Sequence, residues 1–249
     1  LELERQASYF VTGGLVAVHA NGRNREAIWN ALQLKEVYGT SGQRMLLWFD
    51  LLNANSEETT QRLPMGSETV MTNTPRFRVR ALGAFEQLPG CPDHSMNALT
   101  PDRLQRLCRG ECYNPSARRL SISRIEVIRI RPQSTPAEPV APLIEDPWKT
   151  FDCDTGSSNG CTFEFDDEGF AVDGRDSVYY VRALQEPQAA INAGGLRCNW
   201  NDQGECESVN ACFGDDRTAQ EDDCMAETSA RAWSSPIFID YIPGERIGE

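Results

Sequence analysis

Histidine is almost missing from this chain: His19 and His94 are the only two among 249 residues. Nucleophilic catalysis by serine or cysteine needs a base within hydrogen-bond reach, most often an imidazole, and neither histidine stands in a nucleophile motif. A multi-metal hydrolytic centre needs several histidines and carboxylates converging on the ions, which two scattered histidines cannot supply. No run of about 18 apolar residues is present, which excludes a membrane-spanning helix. Positive charge is scarce as well. The 24 Lys and Arg face 37 Asp and Glu, a formal charge of -13, so nucleic acid and anionic lipid are repelled before contact. Polyanion binding would need a local basic patch, for which Arg124, Arg129 and Arg131 with Arg118 and Arg119 are the candidates. Their bland reading is a set of solvated strand-edge charges. The first residues, Leu-Glu-Leu-Glu, include no initiator methionine and no export segment, and the expectation from them is a processed or truncated product.

Cysteine is absent before Cys91 and then abundant, with nine residues between Cys91 and Cys224. Clustered cysteines in polar, acidic loops favour disulfides formed in an oxidising compartment, hence a periplasmic or extracellular setting. Cys153 and Cys161 flank DTGSSNG, and Cys198 and Cys206 flank NWNDQGE; each pair encloses seven residues and makes an easy local bridge. Cys212 and Cys224 enclose another acidic loop. Cys91 can reach either Cys108 or Cys112. Nine is odd, so at least one thiol stays free or pairs outside the chain. A zinc site using Cys108 and Cys112 competes with this reading, but it lacks paired CxxC spacing or nearby histidines.

Thr12 to Gly42 reads as strand, helix and strand. Leu15 to Val18 form a short apolar run suited to a strand buried on both faces. Asn24 caps the helix, Glu26 lies in its first turn, and Ala27, Ile28, Ala31 and Leu32 make its apolar face. Met45 to Leu52 is strand-like again. A lone unit of this size cannot bury both faces of its sheet, so it packs on the rest of this chain or belongs with a domain upstream. Residues Asn53 to Asn73 lack periodicity and read as a junction. From Thr74 the pattern is β: Phe77, Val79 and Ala81 alternate with Arg78 and Arg80, and Ser121 to Ile130, Phe163 with Phe165, Ser177 to Leu184 and Pro236 to Tyr241 follow. Thr100, Pro101 and Asp102 start one short helix, with Leu104 and Leu107 on one face. Gln133 to Pro147 reads as a surface loop. The expected fold is mainly β: an Ig-like antiparallel β-sandwich with disulfide-pinned loops over 76–249, a junction over 53–75, and a short α/β element over 1–52.

His19 ends a strand, where active-site groups often project in α/β folds, although a lone histidine there is commonly a hydrogen-bonded core residue. His94 lies in an exposed loop. Calcium is a further candidate: Asp152, Asp154 and Ser158 alternate around Gly156, and Asn199, Asn201 and Asp202 precede Gly204. Neither set completes the twelve-residue loop that ends in a bidentate glutamate, and Asp215, Asp216, Glu221, Asp222 and Asp223 form no pattern of ligands.

The segment GGLVAVHANGRNREAIWNALQLKEVYGTSGQRMLLWF resembles the final strand and helix of metal-dependent hydrolases of the polymerase and histidinol phosphatase (PHP) type. More closely it resembles the bacterial group called domain of unknown function thirty-six-oh-four. The similarity extends through PRFRVRALGAFEQLPGCP, LCRGECYNP, RIEVIRIRPQ, LIEDPW, GRDSVYYVRALQEP, LRCNW and RAWSSPIFID. The resemblance implies a PHP barrel holding divalent zinc, manganese or iron, followed by this sandwich. It also implies metal ligands upstream in His-x-His, Thr-Asp-His and Ser-Asp-x-His motifs, none of which is present here. Members often carry tryptophan where His19 stands. Thr40, Ser41 and Arg44 match the family pattern near the barrel mouth, which implies substrate contact; a simple turn is the bland alternative. Two functions follow. One is the carboxy-terminal, non-catalytic portion of a secreted or periplasmic phosphoesterase-like hydrolase, inactive without its upstream half. The other is a stand-alone disulfide-stabilised β-sandwich for binding or assembly. The partners expected are the upstream half, as the same or a separate chain, or a second copy, with no nucleic acid and no membrane span. Docking of the opening unit on another polypeptide favours the first function, and docking on the sandwich favours the second.

Overall fold

A computed structural model describes residues 13–55, 60–108, 112–154, 159–191, 197–213 and 216–243. Strand β1 (Leu15–Val18) leads into helix α1 (Arg25–Gln33), then β2 (Val37–Thr40), β3 (Leu46–Asn55), β4 (Thr60–Pro64), β5 (Glu68–Met71), β6 (Arg76–Leu82) and β7 (Phe85–Gln87). Helices α2 (Asp93–Ala98) and α3 (Pro101–Cys108) precede β8 (Pro115–Arg119), β9 (Ile122–Ile130), β10 (Ile144–Asp152) and β11 (Cys161–Asp166). After the single turn α4 (Phe170–Asp173) come β12 (Ser177–Gln185), β13 (Gln188–Ile191), β14 (Cys198–Trp200), β15 (Cys206–Val209), β16 (Met225–Thr228), β17 (Arg231–Ser234) and β18 (Ile237–Tyr241). The protein is mainly β, as the alternating patterns require.

Two sheets face each other. The smaller runs β11-β6-β3-β4, all antiparallel. The larger has eight strands centred on β12, with β9 and then β10 on one side and β17 and β18 on the other. The core is the set of alternate residues that period-2 geometry turns inward. Leu47, Phe49 and Leu51 of β3 and Phe77, Val79 and Ala81 of β6 meet Ile125 and Val127 of β9 and Tyr179, Val181 and Ala183 of β12. Phe77 centres this packing, stacked on Phe49 and Phe165 with ring centroids 5.4 and 5.2 Å away.

The segment Trp233-Ser234-Ser235-Pro236 divides one edge of β12. Proline has no N–H for a ladder, so pairing stops there and resumes. β17 pairs Arg182 to Leu184 and carries β2, while β18 pairs Ser177 to Tyr179 and carries β5 in the sheet's parallel pair. At the gap Ser234 Oγ accepts from the Val181 N–H at 3.0 Å, so a buried donor keeps a partner where the ladder is broken.

The opening unit therefore docks on this chain's own sandwich. β1 and β2 are antiparallel, with Leu15 opposite Thr40 and Val18 opposite Val37, and they extend the large sheet beyond β17. The expectation that β1 is buried on both faces is overturned: it lies at the sheet's end and Val16 is 73% exposed. The apolar run was right for a strand, but edge or centre depends on sheet order, which a run does not encode. Asn24 caps α1 through Oδ1, which accepts from Ala27 N at 2.8 Å. Of its apolar face only Ala31 is buried. The connection to β2 is pressed against the β4–β5 turn: a Cβ on Gly66, at φ +89°, would lie 2.3 Å from the Lys35 carbonyl oxygen.

Three further expectations differ. The segment read as a junction carries β4 and β5, β3 crosses residue 52, and the polar sequence is held by pairing with β3 and β18. The loop read over 133–147 ends earlier, because β10 begins at Ile144 and pairs β9 through an irregularity between Glu145 and Lys149. His94, exposed as expected, sits in helix α2 rather than in a loop. Helix α3 starts as read, with Thr100 Oγ1 accepting from Arg103 N at 3.3 Å. Disulfides join Cys91–Cys112, Cys153–Cys161, Cys198–Cys206 and Cys212–Cys224. The three local bridges form as expected and Cys91 takes Cys112 of its two alternatives; the side chain of Cys108 lies outside the described residues. No helix among the described residues is long and apolar enough to cross a membrane.

Candidate functional site

The β1–β2 hairpin separates the residues that the sequence placed together. Thr40, Ser41 and Arg44 lie at the Leu15 end and His19 lies past the Val18 end, about 14 Å away at 3.4 Å per residue. His19 Nε2 is 2.8 Å from the Leu47 carbonyl oxygen, and its ring packs at 5.4 Å on Tyr38 and 5.8 Å on Trp48. That is the geometry of a packed, hydrogen-bonded histidine. At the other end, Thr40 is buried and its Oγ1 accepts from Gly42 N at 3.2 Å, closing a turn around Gly42 at φ +112°. Ser41 clasps β17: its N–H donates to the Arg231 carbonyl and its Oγ accepts from Arg231 N, both at 2.9 Å. Both hydroxyls are thus engaged with backbone, and only Arg44 of the three turns outward.

Arg44 lies over the ring of Tyr113, guanidinium carbon 3.9 Å from the centroid. The ring comes from an arm built of β7 and β8, closed by the Cys91–Cys112 bridge and by the Leu88 N–H donating to the Asn114 carbonyl at 2.8 Å. Between arm and turn is a cleft of about 290 Å³ lined by Gly42, Gln43, Arg44, Phe85, Gln87 and Tyr113 among others. Arg119, opposite Phe85 across the arm, stacks on the Phe85 ring at 3.9 Å and donates to the Gly83 carbonyl at 2.7 Å. Phe85 and Tyr113 were not singled out from sequence. The signal that could have found them is an aromatic on each side of a loop that a disulfide closes.

The candidate basic patch does not form. Arg118 pairs with Glu86, Arg124 with Glu126, and Arg131 with Glu145 and Asp173. Nor are all these arginines solvated: Arg129 is buried, donating to both oxygens of Asp167 at 3.0 and 2.8 Å and to Glu145 at 2.6 and 3.0 Å. Burial opposes its charge, yet the two carboxylates hold its pKa above the ordinary arginine value. The Tyr179 hydroxyl donates to Asp167 at 2.7 Å; burial first, then the Asp167 charge, pushes it well above the ordinary tyrosine range. On the outer face burial likewise opposes the charge of Glu126, but Arg124 and Arg182 hold its carboxyl below the usual range. A larger cleft of about 550 Å³ opens beside Trp148 and Arg129, but its cations are engaged, Arg129 as above and Lys149 with the Asp166 carbonyl at 2.9 Å.

Metal ligation finds little support in side-chain geometry. Among the described residues, three His, Cys, Asp or Glu ligand atoms converge at Cys212, Asp222 and Cys224, and both sulfurs there belong to one disulfide. Asp152 and Asp154 lie in no such group, and their supposed companions Gly156 and Ser158 lie outside the described residues, as does Asp215. Asn199 donates to Ser208 Oγ at 2.9 Å, and Asn201 Oδ1 already accepts from Gln203 N and Glu205 N at 3.0 and 2.8 Å, closing the turn that contains Asp202. Among the described residues no set fits a zinc, manganese or iron centre, since His19 is hydrogen-bonded to backbone and His94 stands on a different element.

No curated protein and no solved structure gives a significant match. Residues 2–97 match the family described as "Protein of unknown function (DUF3604)", a match that runs through the opening unit and the first strands of both sheets to α2.

Proposed function

We propose that the chain is the carboxy-terminal, non-catalytic portion of a secreted or periplasmic metal-dependent hydrolase of phosphoesterase-like type. The observation that supports it is the outer side of the opening unit. Val16 at 73%, Trp29 at 60% and Leu34 at 60% exposure stand with Leu15, Ile28 and Leu32 on adjacent elements, and β1 pairs only with β2 among the described strands. Several large apolar side chains left exposed on one small unit favour burial against a partner, and an open strand edge invites pairing. The occupant in this reading is the upstream, PHP-like half, which would carry the divalent ions. The disulfides support an oxidising setting for both.

A second reading, a stand-alone disulfide-stabilised sandwich for binding or assembly, is favoured by the pairing of β2 with β17, which docks the opening unit on this chain's own sheet. In either reading the purified chain releases no phosphate from an aryl phosphate in manganese or zinc; clear turnover refutes both. Intact mass on the source protein separates them. A mass equal to this chain alone, with no co-purifying polypeptide, sinks the first; a longer polypeptide, or a companion bearing the histidine motifs, sinks the second.

A further inference from the structure

We propose that the cleft between the 42–44 turn and the β7–β8 arm is an oxyanion site, holding a phosphoryl or carboxylate group against the guanidinium of Arg44. The inference does not rest on either reading of function above. Most arginines of the two sheets are matched to carboxylates, as Arg76 and Arg78 are to Glu164 and Arg182 is to Glu126 and Asp146. Arg44 has no hydrogen bond or ion pair with any described residue, although the chain carries 37 acidic residues. Its contact with the Tyr113 ring at 3.9 Å holds the guanidinium in place without using its N–H donors. A fork of donors so held is suited to two oxygens of a carboxylate or phosphate.

The charge around the cleft points the same way. Among the described residues, none that lines it is acidic. Glu86 is the nearest acid in the arm's sequence, but strand alternation sends it to the face opposite Phe85 and Gln87, where Arg118 holds it at 2.9 and 3.2 Å. Arg119, stacked behind Phe85, adds a second positive charge with no carboxylate partner among the described residues. The net charge of the whole chain is negative, yet at physiological ionic strength charges more than about 8 Å away are largely screened, so the local pair of arginines sets the potential that an anion meets. Gln87 is a wall rather than a ligand, since its Nε2 donates to the Phe85 carbonyl and its Oε1 accepts from Asn114 N.

The test titrates the full, oxidised chain with inorganic phosphate and, in parallel, with succinate, following heat and backbone amide chemical shifts. Saturable 1:1 binding of at least one probe, with shifts centred on residues 42–44 and 113, is expected. Arg44→Ala should weaken it roughly tenfold or more, the share of a charge-assisted pair. Arg44→Lys, which keeps the charge but loses the fork, and Tyr113→Leu, which removes the stacking surface, should each weaken it several-fold. Both positions are exposed, so the variants are checked for an unchanged melting point. Preference between probes assigns the group as phosphoryl or carboxylate. Absence of saturable binding by either probe, or an Arg44→Ala chain that binds as tightly as the parent, overturns the proposal.

Discussion

Replacing Asp167 by alanine should destabilise the sandwich more than any surface change. Asp167 follows β11 in the small sheet, whereas Arg129 and Tyr179 belong to β9 and β12 in the large one, so this carboxylate ties the sheets together at one end. It is 1% exposed and accepts from Arg129 Nη1, the Tyr179 hydroxyl at 2.7 Å and the Gly169 N–H at 3.1 Å. Removing it leaves a buried guanidinium with half its compensation and a buried hydroxyl without the carboxylate it donates to. Breaking a buried pair costs about 3–5 kcal/mol. Glu145 still bonds Arg129, which pulls the figure down, while the orphaned hydroxyl adds about 1–3 kcal/mol. The expectation is a loss of about 4 kcal/mol, or roughly 10 °C in melting temperature. Urea unfolding of the oxidised chain, followed by tryptophan fluorescence, measures it. The paired replacement Arg129→Met with Asp167→Leu should recover part of the loss, because the buried guanidinium goes with its carboxylate while the Tyr179 hydroxyl still lacks that acceptor. A loss below about 1 kcal/mol for Asp167→Ala, or a double variant as weak as the single one, refutes the assignment of this network as the tie between sheets.

Tyr179→Phe carries a pH signature. The folded Tyr179 keeps its proton above the ordinary tyrosine range, so the stability linked to it is whole below about pH 10 and is lost as pH rises further, when the unfolded chain ionises and the folded one does not. The variant should lose stability at neutral pH yet fall less steeply between about pH 9 and pH 11 than the parent, as urea midpoints across that window will show. Ser234→Ala leaves the buried Val181 N–H without an acceptor and should cost about 1–3 kcal/mol by thermal melting; an unchanged midpoint shows that the gap in the ladder is satisfied otherwise. Gly66→Ala combines a left-handed φ with the Lys35 carbonyl 2.3 Å from the new Cβ. It should cost more than about 1 kcal/mol and speed hydrogen exchange at residues 35–37; protection equal to the parent's removes the claim that this contact docks the opening unit.

What the sequence disclosed and what it hid divide along physical lines. Alternation at Phe77, Val79 and Ala81 specifies a strand and its inward face because side-chain direction has period 2 whatever the neighbours are. Asn24 and Thr100 announced helices because a cap acts within three residues. The bridges at 153–161, 198–206 and 212–224 were readable because short loops close easily. Other features depend on partners far along the chain. Arg129 looked like one of a cluster of surface cations and is interior because Glu145 and Asp167 arrive 16 and 38 residues later. Leu15 to Val18 looked doubly buried, yet its place at the end of a sheet follows from where β2 and β17 pair. Thr40, Ser41 and Arg44 look alike as a polar turn. Only the positions of Arg231 and Tyr113 show that the two hydroxyls fasten the turn while the arginine faces a cleft.

The division of residues 231–241 at Ser234 to Pro236 gives the opening unit its mechanical setting. A single segment supports two wings of the large sheet, with β17 holding β2 and β1, and β18 holding β5. Between the wings the β4–β5 turn touches both: Gly66 N donates to the Pro236 carbonyl at 3.0 Å and its Cα abuts Lys35 at the entry to β2. Removing β1 to β2 would therefore strip β17 of its outer neighbour and free the donors and acceptors that Gly39 and Thr40 now pair. The Ser41 clasp on Arg231 would go with them, and with it the turn that aims Arg44 at the β7–β8 arm. This coupling explains physically why the family match crosses from the opening unit into both sheets without a break. The strand at residue 15 and the sandwich share one hydrogen-bonded sheet, so a partner seated on the exposed apolar side of β1 and α1 would be linked by rigid backbone pairing to the cleft at Arg44.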